Sequence, residues 1–183
     1  MNYQTGNLRT KMYAPMGQIR VRQISDYLGS LIGRSKLPPL MGKRILDLGS
    51  GNGFGLKVLK LWSGEPIGIE IDEREIRESL EYGHKGGEIL LADATTIEDK
   101  FGQGSMDLIT GFHAPIYDDK FLPTIDQSTR IVKEGGHLLL TVPSDYEAER
   151  LETILRGTEI DGRLERHPEF LFDKYIYFGQ RRK

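Results

Sequence analysis

Apolar residues recur with helical spacing in the first part of the chain. Five large apolar side chains occupy positions i, i+3, i+4, i+7 and i+8, namely Ile24, Tyr27, Leu28, Leu31 and Ile32. This spacing predicts a helix over about residues 17–33 that buries one stripe. The pair Pro38–Pro39 follows, and proline at such a position prevents the helix from continuing.

Short apolar runs then alternate with helical patterns. The runs predict five strands, at residues 44–48, 67–71, 88–92, 107–110 and 137–142. The segment Ser63–Pro66 is expected to be a break before the second strand, and Gly135–Gly136 to end the helix over 119–133. Asp72 and Ser144 each precede a glutamate by three residues, the spacing of a capping box, and so predict two helix starts.

The last part of the chain follows a different pattern. Residues 158–166 and 170–178 read as two extended stretches with no helix between them, which predicts an antiparallel hairpin at the sheet edge. The whole pattern predicts an α/β fold, a doubly wound, Rossmann-like sheet of seven strands with an N-terminal helical segment. We expect a single domain over 1–183, in which residues 1–43 form a basic helical segment able to act as a lid and 44–183 form the core.

Composition narrows the classes of site. The 183 residues include no cysteine, which excludes disulfides, thiolate metal sites and cysteine nucleophiles. The four histidines show no paired metal-ligand spacing, so no metal site is expected; they are His84, His113, His137 and His167. Apolar runs such as Leu138–Val142 are far too short to span a membrane. The first twenty residues lack the apolar core of a signal peptide, so we expect a cytoplasmic protein.

Charge is distributed unevenly. The net charge of the chain is −2, yet residues 1–44 hold eight basic residues and one acidic residue. Such a segment is either a solvated helix face that lies against an acidic body, or an electrostatic guide for an anionic partner such as RNA.

A glycine-rich turn follows the first predicted strand, in the sequence Asp47-Leu48-Gly49-Ser50-Gly51-Asn52-Gly53. Glycines at a strand-to-helix turn let the backbone approach a ligand closely. The dinucleotide fingerprint G-x-G-x-x-G fails, because Phe54 or Leu56 stands where its third glycine belongs. No Gly-Lys-Ser/Thr follows the turn either, which excludes a P-loop.

Acidic residues follow the next two predicted strands. Glu70 ends the second strand and Asp93 follows the third. Either acid alone would be an ordinary solvated residue at a strand end. The carboxyl ends of parallel strands meet at one sheet edge, where ligands of doubly wound sheets bind, so their joint placement beside the glycine turn predicts one ligand site.

These segments resemble the motifs of the class I S-adenosylmethionine-dependent methyltransferases. The pattern Asp-x-Gly-x-Gly-x-Gly at 47–53 is similar to the first motif, residues 67–72 to the second and 91–94 to the third. Residues 106–109 and 132–140 resemble the fourth strand and the turn and fifth strand of that family. The resemblance covers residues 44–143 and implies S-adenosylmethionine as the cofactor.

The resemblance also implies residue roles. Glu70 would hold the ribose hydroxyls, and Asp93 would accept from the adenine amine beside the backbone N–H of Ala94. Ile71 would pack on the adenine, and Asp47 would lie near the cofactor's ammonium or orient the loop. The other expected cofactor contacts are Gly49, Ser50, Gly51, Asn52, Gly53 and Phe112. Asp107 begins its strand, away from this edge, and is expected to be structural.

Catalysis is assigned less directly. In the family, the segment after the fourth strand commonly faces the acceptor, and here it contains His113, a candidate general base that would otherwise only shape the pocket. Tyr117 and Asp118 are candidates for substrate contact. The Asn/Asp-Pro-Pro-Phe/Tyr motif of amino-group methyltransferases is absent from residues 111–115, which argues against acceptors of that class.

Two kinds of acceptor fit the sequence. A small molecule would need the N-terminal segment as a lid, lined by Met12, Tyr13 and Met16. RNA or protein would instead dock on an open face, and RNA phosphates would contact the arginines Arg20, Arg22 and Arg34.

Three functions remain open at this point. The first is methyl transfer to an unidentified acceptor. The second is aminopropyl transfer from the decarboxylated cofactor. The third is a non-catalytic S-adenosylmethionine-binding subunit that supports a partner enzyme. The sequence does not predict the oligomeric state.

Overall fold

Seven strands form one mixed sheet in the computed structural model, which describes residues 6–62, 64–81, 87–112, 118–167 and 174–182. The strands are β1 (Arg44–Leu48), β2 (Glu65–Glu70), β3 (Glu88–Leu91), β4 (Met106–Gly111), β5 (Val132–Val142), β6 (Ile160–Arg166) and β7 (Tyr175–Arg181). The helices are α1 (Gly6–Gly33), α2 (Phe54–Leu61), α3 (Glu73–Glu81), α4 (Ile97–Phe101), α5 (Asp118–Ile131) and α6 (Asp145–Leu155), with a 3-10 helix at Ala94–Thr96.

The strand order is β3-β2-β1-β4-β5-β7-β6. Strands β1 to β5 are parallel, whereas β7 runs antiparallel to both β5 and β6. The order reverses between β1 and β4, which creates the switch point beside which such sheets bind ligands. The predicted doubly wound fold and its C-terminal antiparallel strand pair are confirmed.

Strand β2 begins earlier than predicted and contains Pro66. The N–H of Glu65 donates to the Lys43 carbonyl on the β1 side, so the next backbone nitrogen, in Pro66, faces the β3 side. Strand β3 pairs only from Glu88, opposite Ile67. The missing N–H of proline therefore costs no ladder bond, and the predicted break is a strand start.

The prediction that α5 ends at Gly135–Gly136 was also wrong. Helix α5 ends at Ile131, and β5 begins at once with Val132. The β4–β5 pairing then jumps from Val132 to His137, which leaves the two glycines in an irregular stretch. Gly135 has a φ of 74°, and a Cβ on Gly136 would lie 3.0 Å from the Asp107 carbonyl oxygen, so both glycines serve the bulge.

Helix α1 begins at Gly6, well before the predicted start, and its second half packs on the sheet. Its predicted stripe is buried in a core cluster that includes Leu28, with Val58 of α2 and Leu139 of β5. The indole N–H of Trp62 donates to Ser25 Oγ at 3.2 Å. The α1 segment thus shares a core with the strands that follow it.

Part of the charge asymmetry is balanced by contacts between the two segments. Lys36 Nζ lies 3.8 Å from Glu165, and Lys43 Nζ lies 3.6 Å from Asp107. Both lysines lie in the loop between α1 and β1, so these contacts join that loop, and not a face of α1, to acidic residues of the core. None of the helices in the described ranges combines the length and the apolar character that a membrane span requires; a cytoplasmic location stays a prediction.

Truncation of Leu28 tests whether α1 is part of the folding unit. Its side chain is fully buried, so Leu28→Ala should lower the free energy of unfolding by about 2–5 kcal/mol, through lost transfer energy and a cavity. Ile19 on the same helix is 44% exposed, and Ile19→Ala should cost less than about 1 kcal/mol. Urea unfolding of both variants measures the difference; equal, small losses would contradict the packing.

Candidate cofactor-binding site

The turn after β1 requires glycine at three positions. Gly49, Gly51 and Gly53 have φ values of 58°, 51° and 84°, in the left-handed region that is unfavourable for residues with a Cβ. Gly53 is the N-cap of α2. The alternation of glycines in the sequence is therefore a conformational requirement of the turn.

Hydrogen bonds fasten this turn to β2. The N–H of Gly51 donates to Glu70 Oε2 at 2.9 Å, and the N–H of Ser50 donates to the Ile69 carbonyl at 2.9 Å. Ser50 Oγ also donates to that carbonyl at 3.3 Å. Gly68 permits this approach, because a Cβ there would lie 2.5 Å from Ser50 Oγ.

The Glu70 carboxylate is held by three backbone donors. Its Oε2 accepts from Gly51, while Oε1 accepts from the N–H groups of Ile71 at 2.8 Å and Asp72 at 2.9 Å. Because each carboxylate oxygen accepts about two hydrogen bonds, the bonds from the described residues leave one acceptor position on Oε2. The carboxylate is half-buried at the carboxyl end of β2 and its orientation is fixed.

Glu70 also changes how α3 begins. Asp72 caps the helix as predicted, accepting from the Arg74 N–H at 2.9 Å. The predicted capping box with Glu75 was wrong, because the Asp72 N–H donates to Glu70 instead. Glu70 thus accepts the hydrogen bond that Glu75 would accept in a capping box.

Apolar side chains lie exposed at the same edge. Ile71, directly after Glu70, is 56% exposed, and Leu91 at the end of β3 is 58% exposed. Leu91 pairs with Glu70 in the β2–β3 register. The two side chains thus leave apolar surface near the carboxyl ends of the strands, where doubly wound sheets bind ligands.

Asp93 lies just beyond β3 and uses both carboxylate oxygens. Oδ1 accepts from the Thr95 N–H at 3.0 Å and from Thr95 Oγ1 at 2.9 Å, which caps the 3-10 helix that begins at Ala94. Oδ2 accepts from Lys120 Nζ of α5 at 2.6 Å. The bond from Lys120 and the Thr95 backbone bond hold the pKa of Asp93 below its usual value.

Asp47 occupies a different environment. Its side chain is 2% exposed, and Oδ1 lies 2.6 Å from Thr110 Oγ1 on β4. Burial raises the pKa of Asp47 to about 7, against the opposing effect of the Thr110 hydrogen bond. A Cβ on Gly55 would lie 2.6 Å from Asp47 Oδ2 and 3.0 Å from the Phe112 ring, so α2 packs closely over this carboxyl.

Several residues of this arrangement were missed in the sequence. They are Gly55, Gly68, Thr95, Thr110 and Lys120. The glycine inside β2 was a readable signal of close approach. Lys120 gave none, because its contact with Asp93 spans 27 positions of the chain.

The structure does not describe every predicted site residue. His113 and Tyr117 lie outside the described residues, as do the side chains of Met12, Tyr13, Met16, Arg20 and Asp118. Asn52 is half-buried in the turn. Of the predicted phosphate contacts, Arg22 lies 3.8 Å from Asp26 and Arg34 is exposed.

Asp107 lies at the amino end of β4, at the opposite sheet edge. It accepts from the Arg44 N–H at 3.0 Å and pairs with Lys43 and Lys133. Burial raises its pKa, but the bonds from Lys133 and Arg44 outweigh burial and lower the pKa overall. The structure thus places it in an ion-pair cluster of the framework.

The chain belongs to a methyltransferase family. The sheet order and the glycine turn define a Rossmann-like α/β fold, in which ligands bind at the carboxyl ends of the parallel strands. A family profile described as "Methyltransferase domain" matches residues 20–173, which is most of the chain. The match confirms the resemblance to the class I methyltransferases and, with it, S-adenosylmethionine as the cofactor of the family.

Two curated relatives share parts of the sequence. Phosphoethanolamine N-methyltransferase 1 of Arabidopsis thaliana is 32% identical over 108 residues, covering 57% of this chain and 22% of that protein. Ribosomal protein L11 methyltransferase of Neisseria gonorrhoeae is 30% identical over 112 residues, covering 60% and 36%. The matches thus span between about a fifth and about a third of those proteins.

Solved structures show the same fold. Magnesium protoporphyrin IX methyltransferase of Synechocystis PCC 6803, solved with bound S-adenosylmethionine, superposes with a TM-score of 0.70 at 15% identity. The alignment covers 99% of this chain and 86% of that one. At this identity the likeness concerns the fold.

The raised pKa of Asp47 predicts a pH effect on stability. The folded pKa of about 7 lies above the ordinary value of 3.8, so the folded state binds more protons between these values. The contribution of Asp47 to stability therefore falls as pH rises from about 4 to about 7, and the penalty is complete above 7. Asp47→Asn removes this titration, so the variant should gain stability relative to wild type between pH 5 and pH 8.

Asp107→Asn is the matched control for that experiment, because the pKa of Asp107 is lowered in the folded state. That variant should lose stability relative to wild type, and the loss should be the same at pH 5 and pH 8, because Asp107 is ionised in both the folded and the unfolded state over this range. Urea unfolding at pH 5 and pH 8 measures both differences. A pH-independent difference between Asp47→Asn and wild type would contradict the buried, titrating carboxyl.

Proposed function

We propose that the chain is an S-adenosylmethionine-dependent methyltransferase that transfers a methyl group by in-line displacement to an acceptor of unassigned chemistry. The observation that carries the proposal is the fixation of Glu70. Three backbone N–H groups orient this carboxylate beside the glycine turn, and hydrogen bonds within the described part of the chain leave one acceptor position on Oε2. A carboxylate fixed before its ligand arrives binds at a smaller entropic cost.

The residues present fit the cofactor in three places. Glu70 offers an oriented carboxylate to ribose hydroxyls, and exposed Ile71 offers an apolar surface to the adenine ring. Asp93 offers its carboxylate to the adenine amine. The glycine turn, with Asp47 buried beneath it, would receive the methionine part. The other proposed cofactor contacts are the turn residues Gly49, Ser50, Gly51, Asn52 and Gly53, together with Ala94 and Phe112.

Methyl transfer by in-line displacement depends mainly on the alignment of the acceptor with the methyl group. When bound, S-adenosylmethionine supplies a methyl group on a sulfonium sulfur, and an in-line attack by a nucleophile leaves S-adenosylhomocysteine and the methylated acceptor. Positioning of acceptor and methyl group at near-attack distance supplies most of the rate enhancement in such a reaction. A nucleophile that arrives protonated also needs a base, and His113 stays the candidate for that role.

Both kinds of acceptor remain in the proposal. One curated relative is named for phosphoethanolamine and the other for ribosomal protein L11, so relatives of similar identity carry names of a small molecule and of a protein. Lys36 and Lys43 pair with acids of the core, so these two charges are partly neutralised. RNA binding would therefore rest on exposed arginines such as Arg34.

Cofactor binding and turnover are measurable with the full chain. We expect titration calorimetry to show one site each for S-adenosylmethionine and S-adenosylhomocysteine. We also expect S-adenosylhomocysteine to form when the enzyme is given pools of small molecules, RNA or protein. Binding without turnover on any pool would favour the non-catalytic subunit, and the absence of binding would contradict the proposed function.

Glu70→Ala tests the ribose contact. The change removes charge-assisted hydrogen bonds, so affinity for S-adenosylhomocysteine should fall by about tenfold to a hundredfold. Glu65→Ala is the matched control, since Glu65 is an exposed glutamate at the opposite end of the same strand; it should leave affinity unchanged. Calorimetry on both, with melting temperatures to verify folding, decides the role. Unchanged affinity in Glu70→Ala would remove Glu70 from the site.

A further inference from the structure

The ion pair between Asp93 and Lys120 joins two parts of the fold. Asp93 follows β3, whereas Lys120 lies in the first turn of α5, the helix that comes after β4. Their atoms Oδ2 and Nζ are 2.6 Å apart, and the side chains are 32% and 37% exposed. Helix α5 packs against the 3-10 helix that Asp93 caps. The contact is therefore built by tertiary packing and is not an exposed i,i+4 pair.

The two carboxylate oxygens of Asp93 have separate tasks. The helix cap uses Oδ1 alone, through the N–H and the hydroxyl of Thr95. Oδ2 takes no part in the cap and accepts only from Lys120 among the described residues. The contact with Lys120 is therefore separate from the helix cap.

Most acceptor positions of the Asp93 carboxylate are occupied by hydrogen bonds within the protein. Thr95 occupies both acceptor positions of Oδ1, and Lys120 occupies one of the two on Oδ2. The described residues thus leave one acceptor position on Oδ2, and the ammonium fixes its direction. An ionised carboxylate only accepts, so this position favours a ligand group that donates, such as an amine, and repels a carbonyl.

We propose that Lys120 is a positioning residue for the adenine subsite, which orients Asp93 Oδ2 so that the site selects an amino-substituted purine over a carbonyl-substituted one. The inference rests on the proposed function, in which Asp93 meets the adenine amine. Lys120 acts through Asp93 and touches neither the methyl group nor the acceptor in this role.

The test compares two ligands on the full chain by calorimetry. One is S-adenosylhomocysteine, and the other is S-inosylhomocysteine, which has a carbonyl in place of the amino group. We expect wild type to prefer the adenosine compound. Lys120→Met should weaken binding of that compound by about threefold to tenfold and should bind the inosine compound no worse than wild type does, so that the preference shrinks. Lys120→Arg keeps a cation and should retain most of the preference.

Two further variants make the result specific. Lys100→Met removes an exposed lysine of α4 and should leave both affinities as in wild type. In the Asp93→Asn background, Lys120→Met should change the preference little, because a residue that acts through the carboxylate has no effect once the carboxylate is gone.

The outcomes separate this inference from the function on which it rests. Three results for Lys120→Met would overturn the role of Lys120 and leave cofactor binding by wild type standing. They are an unchanged preference, an equal loss of affinity for both ligands, and tighter binding of the adenosine compound. Failure of wild type to bind S-adenosylhomocysteine would overturn the proposed function itself, and the role of Lys120 with it.

Discussion

The geometry at the carboxyl ends of β1 and β2 depends on one carboxylate that accepts hydrogen bonds from three backbone N–H groups. Glu70 draws together the glycine turn after β1 through Gly51, and the start of α3 through Ile71 and Asp72. Charge-assisted bonds of this kind are roughly twice as strong as neutral ones. Together with the bonds from Ser50 to the Ile69 carbonyl, this side chain holds the turn, the end of β2 and the start of α3 in their relative positions. No capping box at Asp72 is needed, because Glu70 already satisfies its N–H.

The carboxylates of the site differ in environment, and the environment determines what each one does. Glu70 and Asp93 lie at or just beyond the carboxyl ends of β2 and β3, partly exposed and bonded to donors, and the proposed function assigns both as acceptors for the ligand. Asp47 is enclosed by β4, α2 and the turn, and its pKa of about 7 reflects the cost of a buried charge. Thr110 offsets part of that cost. Asp47 therefore lies buried against β4 and α2, whereas the proposed function assigns the other two carboxylates to ligand contacts.

Features that depend on local sequence were predictable, and those that depend on a distant neighbour were not. The bounds of β1 follow from the apolar run Arg44–Leu48 and the glycines after it. The inclusion of Pro66 in β2 depends on where β3 begins, which no local pattern records. Motif resemblance located Glu70 and Asp93 at strand ends. It could not identify their partners, because Lys120 is far from Asp93 in the chain.

Contacts between residues distant in the chain also link the cofactor side of the proposed site to its acceptor side. The residues assigned to the cofactor lie within 47–112, in consecutive strand-turn units, whereas the acceptor side is assigned to the segment after β4 and to α1. Helix α5 follows that segment directly, and Lys120 in its first turn holds Asp93 at 2.6 Å. A displacement of α5 on acceptor binding would therefore act directly on the contact between Lys120 and Asp93. In the proposed assignment, the contact between Lys120 and Asp93 and the packing of α5 on the 3-10 helix therefore connect the adenine end of the site with the acceptor side.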